Sequence, residues 1–174
     1  MTKIIDKNKF MNYLKVTIGI FLTIAVTRFF PHPPNFTSLI AISFYIPALF
    51  GYRYIAPIIL CFAITDLIIG FHGTILFTWG SVIIIGLISK YFYIKTINRI
   101  FGVLISAIIF FVITNFGVWL LGSYGYTFSG LITCYVLAIP FFTNTAISTI
   151  IYAFIIEIIL SVFRRSLNKN IILK

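Results

Sequence analysis

The sequence carries very little charge. Only 9% of its 174 residues are charged, and Asp and Glu together number three. A chain with so few charged side chains cannot cover a water-exposed surface of ordinary composition, so a soluble globular protein is excluded. The three acidic residues also offer no pair of carboxylates that could divide acid and base catalysis between them.

Sequence motifs of enzymes and metal sites are missing as well. The chain has no HExxH, no GxSxG and no glycine-rich phosphate loop, so it carries no ATP-binding module. Cys61 and Cys134 lie in apolar segments without metal-ligand spacing, and two histidines without a cysteine or a carboxylate cluster make a weak metal case. We therefore predict neither an enzyme nor a cofactor.

What the chain has in abundance is hydrophobic sequence. Hydrophobic residues make up 61% of it, the mean hydropathy is +1.13, and segments of roughly 20 apolar residues recur. This predicts an all-α, polytopic membrane protein in which residues 1–174 form a single transmembrane domain. The basic residues that produce the net charge of +10 flank the apolar segments. They indicate contact with a lipid bilayer rather than with nucleic acid.

Six transmembrane helices are predicted, over residues 10–30, 38–51, 55–70, 74–91, 101–121 and 140–163. If residues 38–70 form two spans, every Lys and Arg except Arg28 falls on the same side of the membrane; a single span would divide them. Because Lys and Arg accumulate in cytoplasmic loops, both termini are expected in the cytoplasm. Pro140 predicts a break between a short outer segment and the last span.

The first outer loop concentrates polar side chains. Three prolines, Pro31, Pro33 and Pro34, prevent a helix there and keep the backbone extended. Between and beside them are Arg28, His32, Asn35 and Thr37. We predict a stiff polar rim at the outer end of the bundle.

Asp66 is expected one turn before the outer end of the third span, where the helix dipole disfavours an anion. It should have a partner, and Arg28 or His72 could supply it. Two interpretations remain open: a structural ion pair that fixes the loop to the helix, and a contact with a ligand. Glu157, near the inner end, is expected to approach Arg164 or a lysine.

Other polar and aromatic residues fall in the same outer half. Asn115 and Asn144 lie inside spans, and each alone is best explained by a hydrogen bond between helices. With Trp119 and Trp79, whose rings can stack on a planar molecule, they suggest a pocket that opens outward. The predicted ligand-binding residues are Arg28, Asn35, Asp66, His72, Asn115, Trp119 and Asn144.

Several short motifs resemble a family of uncharacterised bacterial integral membrane proteins, a domain of unknown function. They are Pro33-Pro-Asn-Phe-Thr37, Asp66-Leu with Gly70 and His72, Thr114-Asn-Phe-Gly-Val-Trp119, Gly130-Leu with Cys134-Tyr135, and Ala138-Ile-Pro-Phe-Phe142 with Asn144-Thr145. The resemblance covers about residues 10–163. That family in turn resembles the membrane-embedded S components of energy-coupling factor (ECF) vitamin transporters.

The resemblance implies a six-helix, S-component-like bundle in the bacterial plasma membrane, with a small-molecule site beneath an outer loop. It also implies partners: a coupling membrane subunit and ATPases. S components often dock through alanines spaced by four in the first helix, whereas Gly19, Thr23 and Thr27 occupy that spacing here.

We therefore expect a substrate-binding subunit for the uptake of a small, vitamin-like solute. The alternative is a structural scaffold of the cell envelope, in which the outer polar residues only hold helices together. A pore or a proton-coupled carrier fits less well, because the inner half lacks a polar path.

Overall fold

The chain is entirely helical in a computed structural model, which describes the backbone of residues 2–172 and the side chains of residues 8–164. Its helices are α1 (Thr2–Phe29), α2 (Leu39–Phe50), α3 (Ile55–Ile69), α4 (Ile75–Ile88), α5 (Thr96–Leu120), α6 (Phe128–Leu137) and α7 (Ile139–Ile172). Single 3₁₀ turns, Tyr52–Tyr54 and Ser89–Tyr91, precede α3 and follow α4. No strand occurs between residues 2 and 172, which confirms the predicted all-α class.

Four helical segments are long and apolar enough to cross a bilayer, and they identify a membrane protein. They are Asn8–Phe29, Tyr52–Ile69, Thr96–Leu120 and Ile139–Arg164. The helices α2, α4 and α6 are also apolar but shorter, with 12, 14 and 10 residues. The count of six spans therefore stays a prediction.

The predicted division of residues 38–70 into two segments is present as a pair of antiparallel helices. The chain reverses at Gly51, whose φ of 96° is a conformation that residues with a side chain rarely adopt. As a result, Leu39 at the start of α2 shares a core cluster with Cys61 and Phe62 near the end of α3.

Helix α2 is the centre of the bundle, and every residue from Leu39 to Tyr45 is buried. One core cluster joins it to α1, α3 and α4; it contains Ile24, Ile58 and Val82. A second cluster joins it to α4, α5 and α7. Large apolar side chains on the outer faces of α1, α5 and α7 are exposed, as expected for surfaces that contact lipid.

The predicted break before the last span is also present. Helix α6 ends at Leu137, and α7 begins at Ile139. Pro140 therefore lies in the first turn of α7, where its missing N–H leaves no intrahelical hydrogen bond unmade.

Helices α1 to α5 alternate in direction and α7 runs antiparallel to α5, so the bundle has two distinct ends. The basic end, as we call it, contains the two 3₁₀ turns and all the described Lys and Arg side chains except Arg28: Lys9, Lys15, Arg53, Lys90, Lys95, Arg99 and Arg164. Of the other residues predicted on that side, Lys174 and the side chains of Lys3, Lys7, Arg165 and Lys169 lie outside the described residues. Arg28 is at the opposite end.

Candidate functional site

A cavity of about 490 Å³, which we call the pocket, lies at the end of the bundle opposite the basic end. It is bounded by the ends of α1, α2, α3, α4, α5 and α7 and by the loop of residues 30–38. Its polar lining residues are Arg28, His32, Asn35, Thr37, His72, Thr74, Thr78, Thr114, Asn115 and Thr145, and its aromatic ones are Phe62, Phe110, Phe111, Phe141 and Phe142. This volume is in the range of known small-molecule sites, about 300–1,000 Å³.

Arg28 and Asp66 form an ion pair on one side of the pocket. The Arg28 Nη2 atom lies 2.6 Å from Asp66 Oδ1, and the indole Nε1–H of Trp79 donates to Asp66 Oδ2 at 2.8 Å. The Asp66 side chain is fully buried, whereas Arg28 retains 14% of its exposure and faces the pocket. The carboxylate that the sequence left without a known partner is therefore paired with Arg28 and joins α1, α3 and α4.

Further contacts hold the Arg28 guanidinium in place. Nη1 donates to the hydroxyl of Thr65 and, at 3.4 Å, to the carbonyl of Phe62, whose ring centre lies 4.6 Å below the guanidinium carbon. A guanidinium has five N–H donors, and these contacts use three of them in a residue that also lines the pocket.

The loop of residues 30–38 forms the rim of the pocket. Asn144 donates from Nδ2 to the carbonyl of Pro34 at 3.1 Å, which connects the loop to α7. On the α1 side, the hydroxyls of Thr27 and Ser38 are 2.9 Å apart. Asn35 has a φ of 63°, a left-handed conformation that Asn tolerates better than most residues, and its side chain lines the pocket.

The wall opposite Arg28 is formed by α5 and α7. The rings of Phe111 and Phe142 lie 4.7 Å apart at an angle of 43°. Asn115 donates from Nδ2 to the carbonyl of Phe111 at 2.8 Å, so its Oδ1 remains an acceptor for a ligand. This wall offers flat apolar surface beside hydrogen-bond acceptors.

Three threonines extend that acceptor character. Thr78, Thr114 and Thr145 each donate their hydroxyl proton to a carbonyl of their own helix, at 2.9, 2.8 and 3.0 Å. Their oxygen lone pairs can still accept hydrogen bonds. The pocket therefore has hydrogen-bond acceptors from α4, α5 and α7 in its wall.

The structure brings four of the seven predicted residues together as lining residues: Arg28, Asn35, His72 and Asn115. Asp66 lies behind Arg28 and does not line the pocket, and Asn144 supports the rim through Pro34. Trp119 lies outside it and donates to the carbonyl of Thr127 at 3.3 Å. Contact of these residues with a ligand stays a prediction.

Sequence reasoning missed the aromatic wall and the threonines. Phe111 and Asn115 are four residues apart, as are Phe141 and Thr145, so each pair shares one face of its helix. The spacing of four, extended from Asn115, could have identified Phe111, whereas nothing in the sequence singled out Phe141 or Thr145 as lining residues. Trp79, expected to stack on a ligand, instead binds Asp66 from outside the pocket.

A second buried ion pair lies at the basic end. Arg99 donates to both carboxylate oxygens of Glu157, at 2.6 and 2.7 Å, and to the carbonyl of Tyr93 at 2.7 Å. Tyr45 donates to Glu157 at 3.0 Å. The expectation that Glu157 approaches Arg164 or a lysine is therefore wrong. Arg99 is 1% exposed and lies within reach because α5 packs directly against α7.

The described side chains, residues 8–164, contain no group of three His, Cys, Asp or Glu residues placed to hold a metal ion. Cys61 and Cys134 are both buried. The polar chemistry of the pocket is therefore carried by arginine, histidine, amide and hydroxyl groups.

Most of the chain matches a known family model. A profile described as a family of unknown function, DUF6580, matches residues 8–170. No curated protein and no solved structure matches the chain.

Proposed function

The chain belongs to the DUF6580 family of unknown function, and we propose from its pocket that it is a membrane-embedded subunit that binds a small, partly planar, vitamin-like solute for uptake. The observation that carries the proposal is the pocket itself. In a chain that is 61% hydrophobic, ten polar residues and five phenylalanines line one cavity at one end of the bundle. Polar side chains within a membrane protein are costly, and such a concentration indicates binding.

The proposed orientation places the pocket outside and the basic end in the cytoplasm of a bacterial plasma membrane. The described basic residues other than Arg28 support it, since Lys and Arg accumulate in cytoplasmic loops. In this arrangement α1, α2, α3, α4, α5 and α7 are six spans with both termini inside. The short α2 and α4 begin beside the pocket, so they need not reach the full depth of the bilayer.

The proposed ligand is neutral or carries a single negative charge. Among the described residues that line the pocket, Arg28 is the only Lys or Arg. Its charge is already largely neutralised by Asp66. A phosphate group would bring close to two negative charges to this pair. The acceptors Asn115, Thr114 and Thr145 favour N–H or O–H groups on an aromatic ring that packs against the phenylalanines.

Thermal unfolding of the purified protein tests this proposal. We would screen vitamins and their precursors, including aromatic alcohols beside their phosphate esters, because a ligand at 100 times its Kd stabilises the folded state by about 2.7 kcal/mol. We expect an alcohol or monocarboxylate to raise the unfolding temperature and its phosphate ester to have a much smaller effect. Asn115→Ala should remove the shift, and Thr133→Ala, on the exposed face of α6, should retain it.

The alternative is a scaffold without a ligand, and the Arg28–Asp66–Trp79 contacts favour it to the extent that they hold three helices together. If no compound in a broad panel shifts unfolding, the scaffold replaces the capture function.

Uptake would also require energy from other chains, and we propose a coupling membrane subunit and ATPases. Co-purification of an ATPase with the tagged protein from native membranes tests that part separately.

A further inference from the structure

An apolar groove lies on the lipid-facing surface between α3 and α4, apart from the pocket. Its volume is about 610 Å³, and it shares no lining residue with the pocket. Ala56, Ile59 and Ala63 of α3 form one side of it, Trp79 and Ile83 of α4 form the other, and Tyr52 lies at the basic end. The two alanines provide its depth.

The length of the groove matches one leaflet of a bilayer. From Tyr52 to Ala63 the chain rises by about 1.5 Å per residue, or roughly 17 Å in all. Half of a hydrocarbon layer of about 30 Å is roughly 15 Å. A transmembrane helix of a partner would continue across both leaflets, whereas an acyl chain would end where this groove ends, at Trp79.

The basic end of the groove carries positive charge next to aromatic rings. Lys90 Nζ lies 5.2 Å from the ring centre of Tyr52. Arg53 follows Tyr52 in the same 3₁₀ turn, and its guanidinium carbon lies 5.1 Å from the ring centre of Tyr54. Both cations are exposed, and neither contacts a carboxylate among residues 8–164. Tyr52 itself donates to the carbonyl of Leu87 at 3.1 Å, which joins the two helices at this point.

We propose that this groove binds a phospholipid with an anionic headgroup. One acyl chain occupies the groove from Tyr52 to Trp79, and the phosphate lies at the membrane surface between Arg53 and Lys90. Basic side chains beside transmembrane helices attract anionic headgroups, at roughly 1 kcal/mol for each Lys or Arg. The proposal depends on the groove and its charged end alone, not on a ligand in the pocket.

The test compares two lipids with identical acyl chains, phosphatidylglycerol and phosphatidylcholine. Delipidated protein in detergent would be titrated with each, and bound lipid counted by native mass spectrometry. We expect phosphatidylglycerol to bind the wild type more tightly. The double variant Arg53→Gln/Lys90→Gln changes only exposed residues, and it should weaken phosphatidylglycerol binding by about 30-fold, to the level of phosphatidylcholine.

Two further variants make the result specific. Arg164→Gln removes a basic residue from α7, which does not line the groove, and should bind phosphatidylglycerol as the wild type does. Ala63→Phe fills the groove and should reduce binding of both lipids. Equal binding of the two lipids by the wild type, or an equal loss in Arg164→Gln, would overturn the proposal. So would an Ala63→Phe protein that keeps both lipids, since the acyl chain would then lie elsewhere.

Discussion

Removal of the Asp66 carboxylate should destabilise the protein strongly. Asp66→Ala leaves the Arg28 guanidinium without its counter-ion and the Trp79 indole N–H without its acceptor, at a position where Asp66 itself has no solvent exposure. Breaking a buried ion pair by removing one partner costs about 3–5 kcal/mol. Arg28 faces the pocket and can recover some hydration there, so the lower end of that range is expected.

Replacing Arg28 instead of Asp66 should lower the free energy of unfolding further. Replacing both residues should lower it by less than the sum of the two single losses. Arg28→Met leaves a fully buried carboxylate with the Trp79 N–H as its remaining strong donor, which places its loss at the upper end of the same range. In Arg28→Met/Asp66→Leu no charge is left unpaired. What remains is the cost of the unpaired indole N–H, about 1–3 kcal/mol.

Equilibrium unfolding in mixed micelles, followed by circular dichroism, would measure these free energies. Lys95→Met, at an exposed basic residue without a carboxylate contact in the described chain, is the control and should stay within about 0.5 kcal/mol of the wild type. If the two single losses simply added in the double variant, the pair would contribute no coupling energy and the reasoning would be refuted. The same proteins decide between the two interpretations of Asp66, because a stable double variant that no longer binds a compound assigns the pair to the ligand site.

Two further predictions concern packing elsewhere in the bundle. Glu157→Ala leaves the almost fully buried Arg99 without its bidentate partner and should cost about 3–5 kcal/mol in the same unfolding assay, whereas an unchanged stability would show that the guanidinium finds water instead. In Gly117→Ala a new Cβ would lie 2.4 Å from the ring of Phe77, which should lower the unfolding free energy by about 1–3 kcal/mol. Gly19→Ala is the matched control, because its Cβ meets open space, and it should stabilise the protein by up to about 1 kcal/mol. Equal effects of the two variants would show that α4 and α5 separate without cost.

Much of the architecture could be predicted because a bilayer imposes simple rules on sequence. The Gly51-Tyr-Arg-Tyr54 segment interrupts an apolar run, and the structure reverses direction there. Pro140 has no N–H to donate to the preceding turn, so it is best accommodated near the start of a helix. The break falls two residues before it, at Ala138. Helix lengths were less accessible, because α1 and α7 extend beyond the apolar segments into the more polar sequence at each terminus.

The site was only partly predictable from the sequence. The distribution of polar residues shows which end of the bundle a side chain belongs to, but not which residue it pairs with. Arg28 was one of two candidate partners for Asp66, beside His72, because it is the one Lys or Arg expected at that end. At the basic end several cations competed for Glu157, and the choice of Arg99 depends on the packing of α5 against α7. Sequence charge alone cannot rank such candidates.

The two ion pairs show how the bundle is divided. Arg28 and Asp66 fix α1 to α3, and Arg99 and Glu157 fix α5 to α7. Helix α2 lies between these two halves and belongs to both core clusters. The pocket lies at the seam between the halves, with Arg28 on one side and Asn115 on the other. A ligand that contacts both residues would therefore bridge the α1–α3 side and the α5–α7 side of one continuous bundle.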